Sequence, residues 1–353
     1  MQPSVPAPCR VLKGVHSVIP SHLPWASPRH IRWQADQRAT KVLVPALLTV
    51  TARLLSQHPG RAWRRSALRA ISRKSGQDEL PHGGPTVVIS GASQGTGRAL
   101  ALKFAQDGFN VVLAARDPEN LLEAERLCQE TLKPGRLAMA VPCDITSPES
   151  VQLLCDSVAE RFTDLRVVVC NAGVCMTGEF ADTSLEDFQS QMNVNFLGHV
   201  ATVRAFLPLL LQHNGSSNPA PTVCFVNSFG ARVPLPGMTA YCAAKYALQG
   251  FADSLRLELT SKGVHVATVH PGVIRSDFRT RAQWRGSAAG SRRSMMNTLL
   301  DGQSPVSGVT QSVEEVAEAA FEAVKTRQNE VVVGLPFRTM LAAYGFGKAL
   351  GIA

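Results

Sequence analysis

The stretch Thr86-Val87-Val88-Ile89-Ser90-Gly91-Ala92-Ser93-Gln94-Gly95-Thr96-Gly97 decides the fold. Its first five residues are rich in β-branched side chains, the composition of a parallel strand buried on both faces. Three glycines spaced GxxxGxG follow, and residues 98–107 then carry a helical pattern closed by Gly108. Strand, glycine turn and helix together bring backbone N–H groups and the positive end of a helix dipole against a diphosphate. A bare glycine triplet is often only a tight turn. Here the strand before it and the helix after it supply the context that a phosphate-binding turn requires.

The same alternation repeats downstream. Residues 110–115, 138–142, 167–170, 223–227, 264–269 and 330–334 read as further strands, with helices over 119–132, 148–162, 185–211, 239–260 and 314–326. The helix over 185–211 is expected to be one long element. This order predicts an α/β doubly wound fold of Rossmann type, a single domain over residues 81–335 between a leader (1–80) and an apolar extension (336–353). Arg116 directly follows the second strand, where an acid would bond a ribose 2′-hydroxyl and an arginine accommodates a 2′-phosphate, so the expected cofactor is NADP(H) rather than NAD(H). Asp117 either bonds a 2′-hydroxyl or caps the helix beginning near Pro118. Cys143-Asp144-Ile145 and Asn171-Ala172-Gly173 end the third and fourth strands, at the carboxyl edge where open α/β sheets bind ligands. Taken singly, they also read as a capping Asp and an Asn-Gly turn.

A second constellation lies further on. Tyr241 and Lys245 are one helical turn apart, and Ser228 stands thirteen residues before the tyrosine. A phenol has an ordinary pKa near 10, and a cation within about 4–6 Å favours its ionised form, which would tune Tyr241 for proton exchange with an alcohol or carbonyl oxygen. YxxxK by itself also describes ordinary helix surface. Asn195, inside the long helix, could equally satisfy only a neighbouring carbonyl.

Read together, Gly91/Gly95/Gly97, Asp144, Asn171-Ala172-Gly173, Asn195, Ser228, Tyr241 with Lys245, and Pro271-Gly272 resemble the short-chain dehydrogenase/reductase superfamily, classical type, over residues 85–335. The resemblance implies a seven-stranded parallel sheet with helices on both faces. It implies that Tyr241 is the acid/base, that Ser228 holds the substrate oxygen, and that Lys245 bonds the nicotinamide ribose while lowering the pKa of Tyr241. Asn195 would keep a water in a relay behind Lys245. Cofactor contacts are expected from Gly91, Ser93, Gln94, Gly95, Thr96, Gly97, Arg116, Asp144, Ile145, Asn171, Ala172, Gly173, Pro271, Gly272, Ile274 and Ser276, with Tyr241 and Lys245. Two departures from the family pattern are mild: Thr96 stands where Ile is usual, and Ser276 where Thr commonly follows the Pro-Gly turn. Members of the family associate through their two long helices, so a homodimer or homotetramer is expected.

Of the chain's 36 Lys and Arg and 27 Asp and Glu, thirteen bases and one acid fall in residues 1–77, which leaves 23 bases and 26 acids beyond. The basic character thus belongs to the leader, and a near-neutral body gives no case for nucleic-acid binding. An Arg-rich, acid-poor leader reads as an organellar transit peptide, for chloroplast rather than mitochondrion. Its apolar run 42–55 falls short of the roughly 20 residues that span a bilayer. The eight cysteines show no CxxC and no ligand spacing, so they read as reduced core residues and no metal site is expected. The segment 274–305, where the family builds its lid, carries Arg275, Arg279, Arg281, Arg285, Arg292 and Arg293 interleaved with Trp284, Met295, Met296, Leu299 and Leu300. Either the arginines meet an anionic group, such as a thioester carrier, or they are solvated while the apolar residues face a lipophilic ketone or alcohol. The apolar tail admits a peripheral membrane contact or a dimer interface. Three functions therefore stand open: carbonyl reductase or alcohol dehydrogenase on a small lipophilic molecule, 3-oxoacyl-thioester (carrier protein) reductase, and a non-catalytic NADP-binding scaffold.

Overall fold

The computed structural model describes residues 82–212, 220–276, 281–301 and 310–351. The transit-peptide reading and the apolar run 42–55 lie outside these residues, as does Arg279. Seven strands form one sheet: β1 (Thr86–Ser90), β2 (Asn110–Ala115), β3 (Ala138–Pro142), β4 (Leu165–Cys170), β6 (Thr222–Val226), β7 (His265–His270) and β11 (Glu330–Val332). All pair in parallel, in the order β11-β7-β6-β4-β1-β2-β3. From β1 the chain runs outward to β2 and β3, then returns to β4 on the other side of β1. That reversal opens a crevice at the carboxyl ends of β1 and β4, the place where doubly wound sheets bind ligands.

Because successive side chains of a strand point to opposite faces, each buried strand feeds two cores. Val87, Ile89, Val111 and Leu113 face one side, with Leu100 and Phe104 of α1 (Gly95–Asp107), Leu121 of α2 (Pro118–Thr131) and Phe321 of α8 (Val313–Lys325). Val88, Val112, Val168 and Phe225 face the other, with Leu154 of α3 (Pro148–Arg161), Phe206 of α5 (Gly198–Leu210) and Leu248 of α6 (Thr239–Thr260).

The expected single helix over 185–211 is broken. Helix α4 (Leu185–Met192) and α5 are joined by a π-helical turn, Asn193–Leu197. The break coincides with a long-range tie. Asn195 spends its amide on the backbone of Val174, across the sheet edge, and on Gln191 one turn back. At Gly198 the helix then presses so close that a Cβ would lie 2.8 Å from the Ile145 side chain.

The lid segment contains short strands β8 (Val273–Ile274) and β9 (Gln283–Trp284) and helix α7 (Ala289–Leu300). Strand β9 pairs with β5 (Met176–Thr177), and β8 with β10 (Thr310–Gln311). The tail forms helix α9 (Leu335–Ala349), anchored by buried Phe337, whose ring meets Phe229 edge-on at 5.0 Å. Among the described residues no helix is long and apolar enough to cross a membrane.

Candidate active site

The glycine turn between β1 and α1 is shaped by two different constraints. Gly91 and Gly95 take positive φ, +67° and +56°, which side chains with a Cβ rarely adopt. Gly97 is needed for proximity: a Cβ there would lie 2.2 Å from the Gly91 carbonyl and 2.6 Å from the Asn171 amide. Helix α1 starts with no side-chain cap from Gln94 and no acid in its first turn, so its N-terminal N–H groups and positive dipole end stay available to an anion. Ser93 is buried beside them, and Gln94 and Thr96 are half-buried.

Asn171 and Ala172 brace this turn. The Asn171 amide donates to the carbonyls of Ser90 and Gly91, at 3.0 and 3.2 Å. Ser90 Oγ in turn accepts from the backbone N–H of Asn171 and of Ala172, at 3.0 and 3.1 Å. The role of Ser90 escaped the sequence reading, in which it was only the last residue of a strand.

Along the same sheet edge, Arg116 lies exposed at the end of β2, lining a cleft of about 350 Å³ with Thr146, Glu186, Gln189, Ser190, Asn193 and Val194. Asp117 is committed elsewhere. Its carboxylate caps α2, accepting from the N–H of Glu119 and Asn120, and the Asn120 side chain holds it below the usual carboxylate range. Asp144 accepts from the N–H and hydroxyl of Thr146, at 2.9 and 2.8 Å, and its own N–H donates to Ser150. Ile145 is buried against Gly198.

The second constellation gathers at the carboxyl end of β6. Ser228 follows this strand and Tyr241 and Lys245 sit in the first two turns of α6. The Lys245 ammonium lies 5.9 Å from the centre of the Tyr241 ring. It is 4% exposed and donates to the Val226 carbonyl at 3.4 Å, and burial pulls its pKa down to about 8. The expected lowering of Tyr241 does not hold. Burial, reinforced by Cys175, pushes the phenol above its ordinary value, and its hydrogen bond with Ser228 offsets only part of that rise. Desolvation disfavours phenolate more than the ammonium, itself weakened by burial, favours it.

Asn195 stands behind this pair, with Gly173 between: a Cβ on Gly173 would be 3.0 Å from Asn195 Oδ1 and 3.9 Å from Lys245 Nζ. Further polar groups close in that sequence reading did not single out. His199, fully buried and edge-on to Phe225, is pulled down to about 3 by burial and then by the charge of Lys245. Asn227 donates to the carbonyl of Lys245 and to Gln249, fixing the first turns of α6. His270 Nδ1 lies 2.9 Å from the Ser228 carbonyl, and its Nε2 lies 3.2 Å from Glu330 on the edge strand. One signal for part of this set was present: Gln191, Asn195 and His199 recur every four residues, a polar row on an otherwise apolar face.

Pro271 is buried and its carbonyl accepts from the Phe229 N–H at 2.8 Å, joining the two loops. Gly272 donates to Gln311 at 2.9 Å and lies under the Phe337 ring. Ile274 packs against the core that contains α1, and Ser276 is half-buried. Of the lid arginines, Arg285 pairs with Asp187 through two bonds of 3.0 and 2.8 Å, Arg292 pairs with Glu179, and Arg275 reaches Thr310.

The sequence pattern described as short chain dehydrogenase matches residues 85–285. The chain belongs to the short-chain dehydrogenase family. Dehydrogenase/reductase SDR family member 7B of Bos taurus is 30% identical over 263 residues, which are 73% of this chain and 75% of that protein. Dehydrogenase/reductase SDR family protein 7-like of Drosophila melanogaster is 29% identical, over 73% of this chain and 74% of its own. A solved short chain dehydrogenase/reductase from Burkholderia phymatum, in complex with NAD, superposes with a TM-score of 0.67 over 78% of this chain and 98% of that one, at 22% identity. An alcohol dehydrogenase from Thermococcus sibiricus, complexed with 5-hydroxy-NADP, gives 0.58 over 71% and 97%, at 25% identity. As a short-chain dehydrogenase, the chain is an oxidoreductase acting on CH–OH donors.

Proposed function

We infer that this enzyme interconverts a lipophilic ketone or aldehyde with its alcohol, using NADP(H), and that Tyr241 is its acid/base. The observation that carries the reading is the meeting of Ser228, Tyr241 and buried Lys245 at the sheet edge that also holds the uncapped glycine turn. The dinucleotide's diphosphate fits the turn of Gly91 to Gly97, and its adenosine end fits the cleft beside Arg116. Bound there, the nicotinamide supplies or accepts the hydride. The chain's own groups handle the oxygen: Ser228 donates a hydrogen bond to it, and Tyr241 delivers or removes its proton. A phenol kept protonated by burial suits the delivering role. Lys245 holds a cation beside that phenol, and Asn195 and Gly173 fix the backbone behind the lysine.

For NADP(H), the support is Arg116 at the end of β2 together with the commitment of Asp117 to its helix cap. For a lipophilic substrate, it is the lid: Trp284 and Met296 are half-buried and Leu300 is buried, whereas Arg285 and Arg292 are spent on carboxylates of this chain. That spending takes two of the six lid arginines out of the argument for an acidic carrier protein.

The test is a panel of ketosteroids, quinones, long-chain aldehydes and acetoacetyl thioesters, followed through NADPH absorbance with wild-type protein and Tyr241→Phe. Turnover of the best substrate should fall by about 10²–10⁴-fold, the range for loss of a general acid/base, while NADPH binding stays within twofold. Undiminished turnover in the variant would sink the mechanism.

A further inference from the structure

The lid arginines differ in what they face. Arg285 and Arg292 are paired with carboxylates, Arg275 reaches a hydroxyl, and Arg293 is exposed on α7. Arg281 is different. Its guanidinium comes within 3.6 Å of the point where a Cβ on Gly95 would stand, over the first residue of α1. Among the described residues no carboxylate pairs with it.

A cation over the N-terminus of a helix faces the positive end of the dipole, an arrangement that is unfavourable by itself. Nothing in the first turn of α1 relieves it, since that turn has no acid and its cap makes no side-chain bond. An anion between the guanidinium and the helix turns both surfaces to advantage: it accepts from the N–H groups on one side and from a planar fork of donors on the other. The glycine turn leaves room for that anion, because Gly95 meets nothing nearer than Arg281 itself.

We propose that Arg281 is a ligand of the cofactor's diphosphate, clamping it from the lid side against the glycine turn and the N-terminus of α1. This rests on the nucleotide reading above and extends it to a residue outside the family motifs named in the sequence. It also gives the lid a reason to respond to cofactor, since Arg281 lies three residues before Trp284, so the diphosphate's charge helps place the segment that faces the substrate.

The experiment compares wild type, Arg281→Ala, Arg281→Lys and, as a control for net charge, Arg293→Ala. Each is titrated with NADPH by nucleotide fluorescence, and with adenosine 2′-monophosphate, which has no diphosphate, by calorimetry. Unliganded melting temperatures establish that all four are folded. Arg281→Ala should weaken NADPH by about 10- to 100-fold, the value of a charge-assisted hydrogen bond, flatten the salt dependence of its binding, and leave adenosine 2′-monophosphate within twofold. Arg281→Lys should recover part of the loss, and Arg293→Ala should match wild type. Unchanged NADPH affinity in Arg281→Ala, or equal losses for the two ligands, would overturn the assignment while leaving the nucleotide reading intact. Failure of wild type to bind either NADPH or NADH would overturn both.

Discussion

Arg116 and Asp117 are adjacent, and their side chains have opposite claims on the same ribose. The sequence left both claims open, because a helix cap is decided by the backbone geometry of the residue that carries it. In the folded chain Asp117 takes extended φ and ψ of −83° and 109° and is used up by Glu119 and Asn120, and on the proposed reading the 2′ position falls to Arg116. Arg116→Ala should therefore weaken NADPH by about 10- to 100-fold, the worth of a hydrogen bond to a charged group, and NADH by no more than two- to threefold. Fluorescence titration with both nucleotides checks this, and equal losses would remove the case for a 2′-phosphate. Tyr241 shows the limit of reading at this scale. The neighbouring cation was legible from an i,i+4 spacing, but the sign of the net shift depends on how far the fold desolvates the phenol, which no local pattern records.

At the scale of elements, the strands and most helices were legible because buried parallel strands are written as short β-branched runs and their connections as amphipathic periods. The break at Asn193–Leu197 was not, since the π turn comes from a long-range bond between Asn195 and Val174. The tail was legible as apolar but not as docked. Helix α9 buries one side chain fully: Phe337 is 5% exposed, whereas Phe346, nine residues on, is 70% exposed. Phe337→Ala should then cost about 3 kcal/mol, the low end for truncating a buried phenylalanine, and Phe346→Ala no more than about 0.5 kcal/mol. Denaturant unfolding of the two variants measures the difference, and equal costs would show that Phe337 does not dock the helix.

For the molecule as a whole, reduced thiols are a large block of buried titratable groups. Burial pushes Cys128, Cys175 and Cys224 up to about 12 and Cys143 and Cys155 up to about 11, and it raises Cys170 and Cys242 as well. In the unfolded chain a thiol ionises near 8.5. Above that pH the native state binds more protons than the unfolded one, so the stability these groups give is whole below about pH 8.5 and is lost as pH rises through their native values. Lys245 works in the opposite sense between about 8 and its ordinary value, but it is one group against seven. Under reducing conditions the denaturant midpoint should fall steadily from pH 9 to 11, and less steeply in Cys128→Ala. A flat midpoint over that range would contradict the account.

The bracing of the glycine turn by Ser90 and Asn171 has a consequence for how this sequence can drift. Ser90, Gly97 and Asn171 are separated by as many as 81 positions, yet they meet in one braced turn. A longer side chain at 97 evicts the asparagine, and loss of the serine hydroxyl orphans two N–H groups beside it. The three positions thus form one physical unit: a single exchange there should disturb the turn, and a concerted change at two or three sites would be needed to replace it with another design.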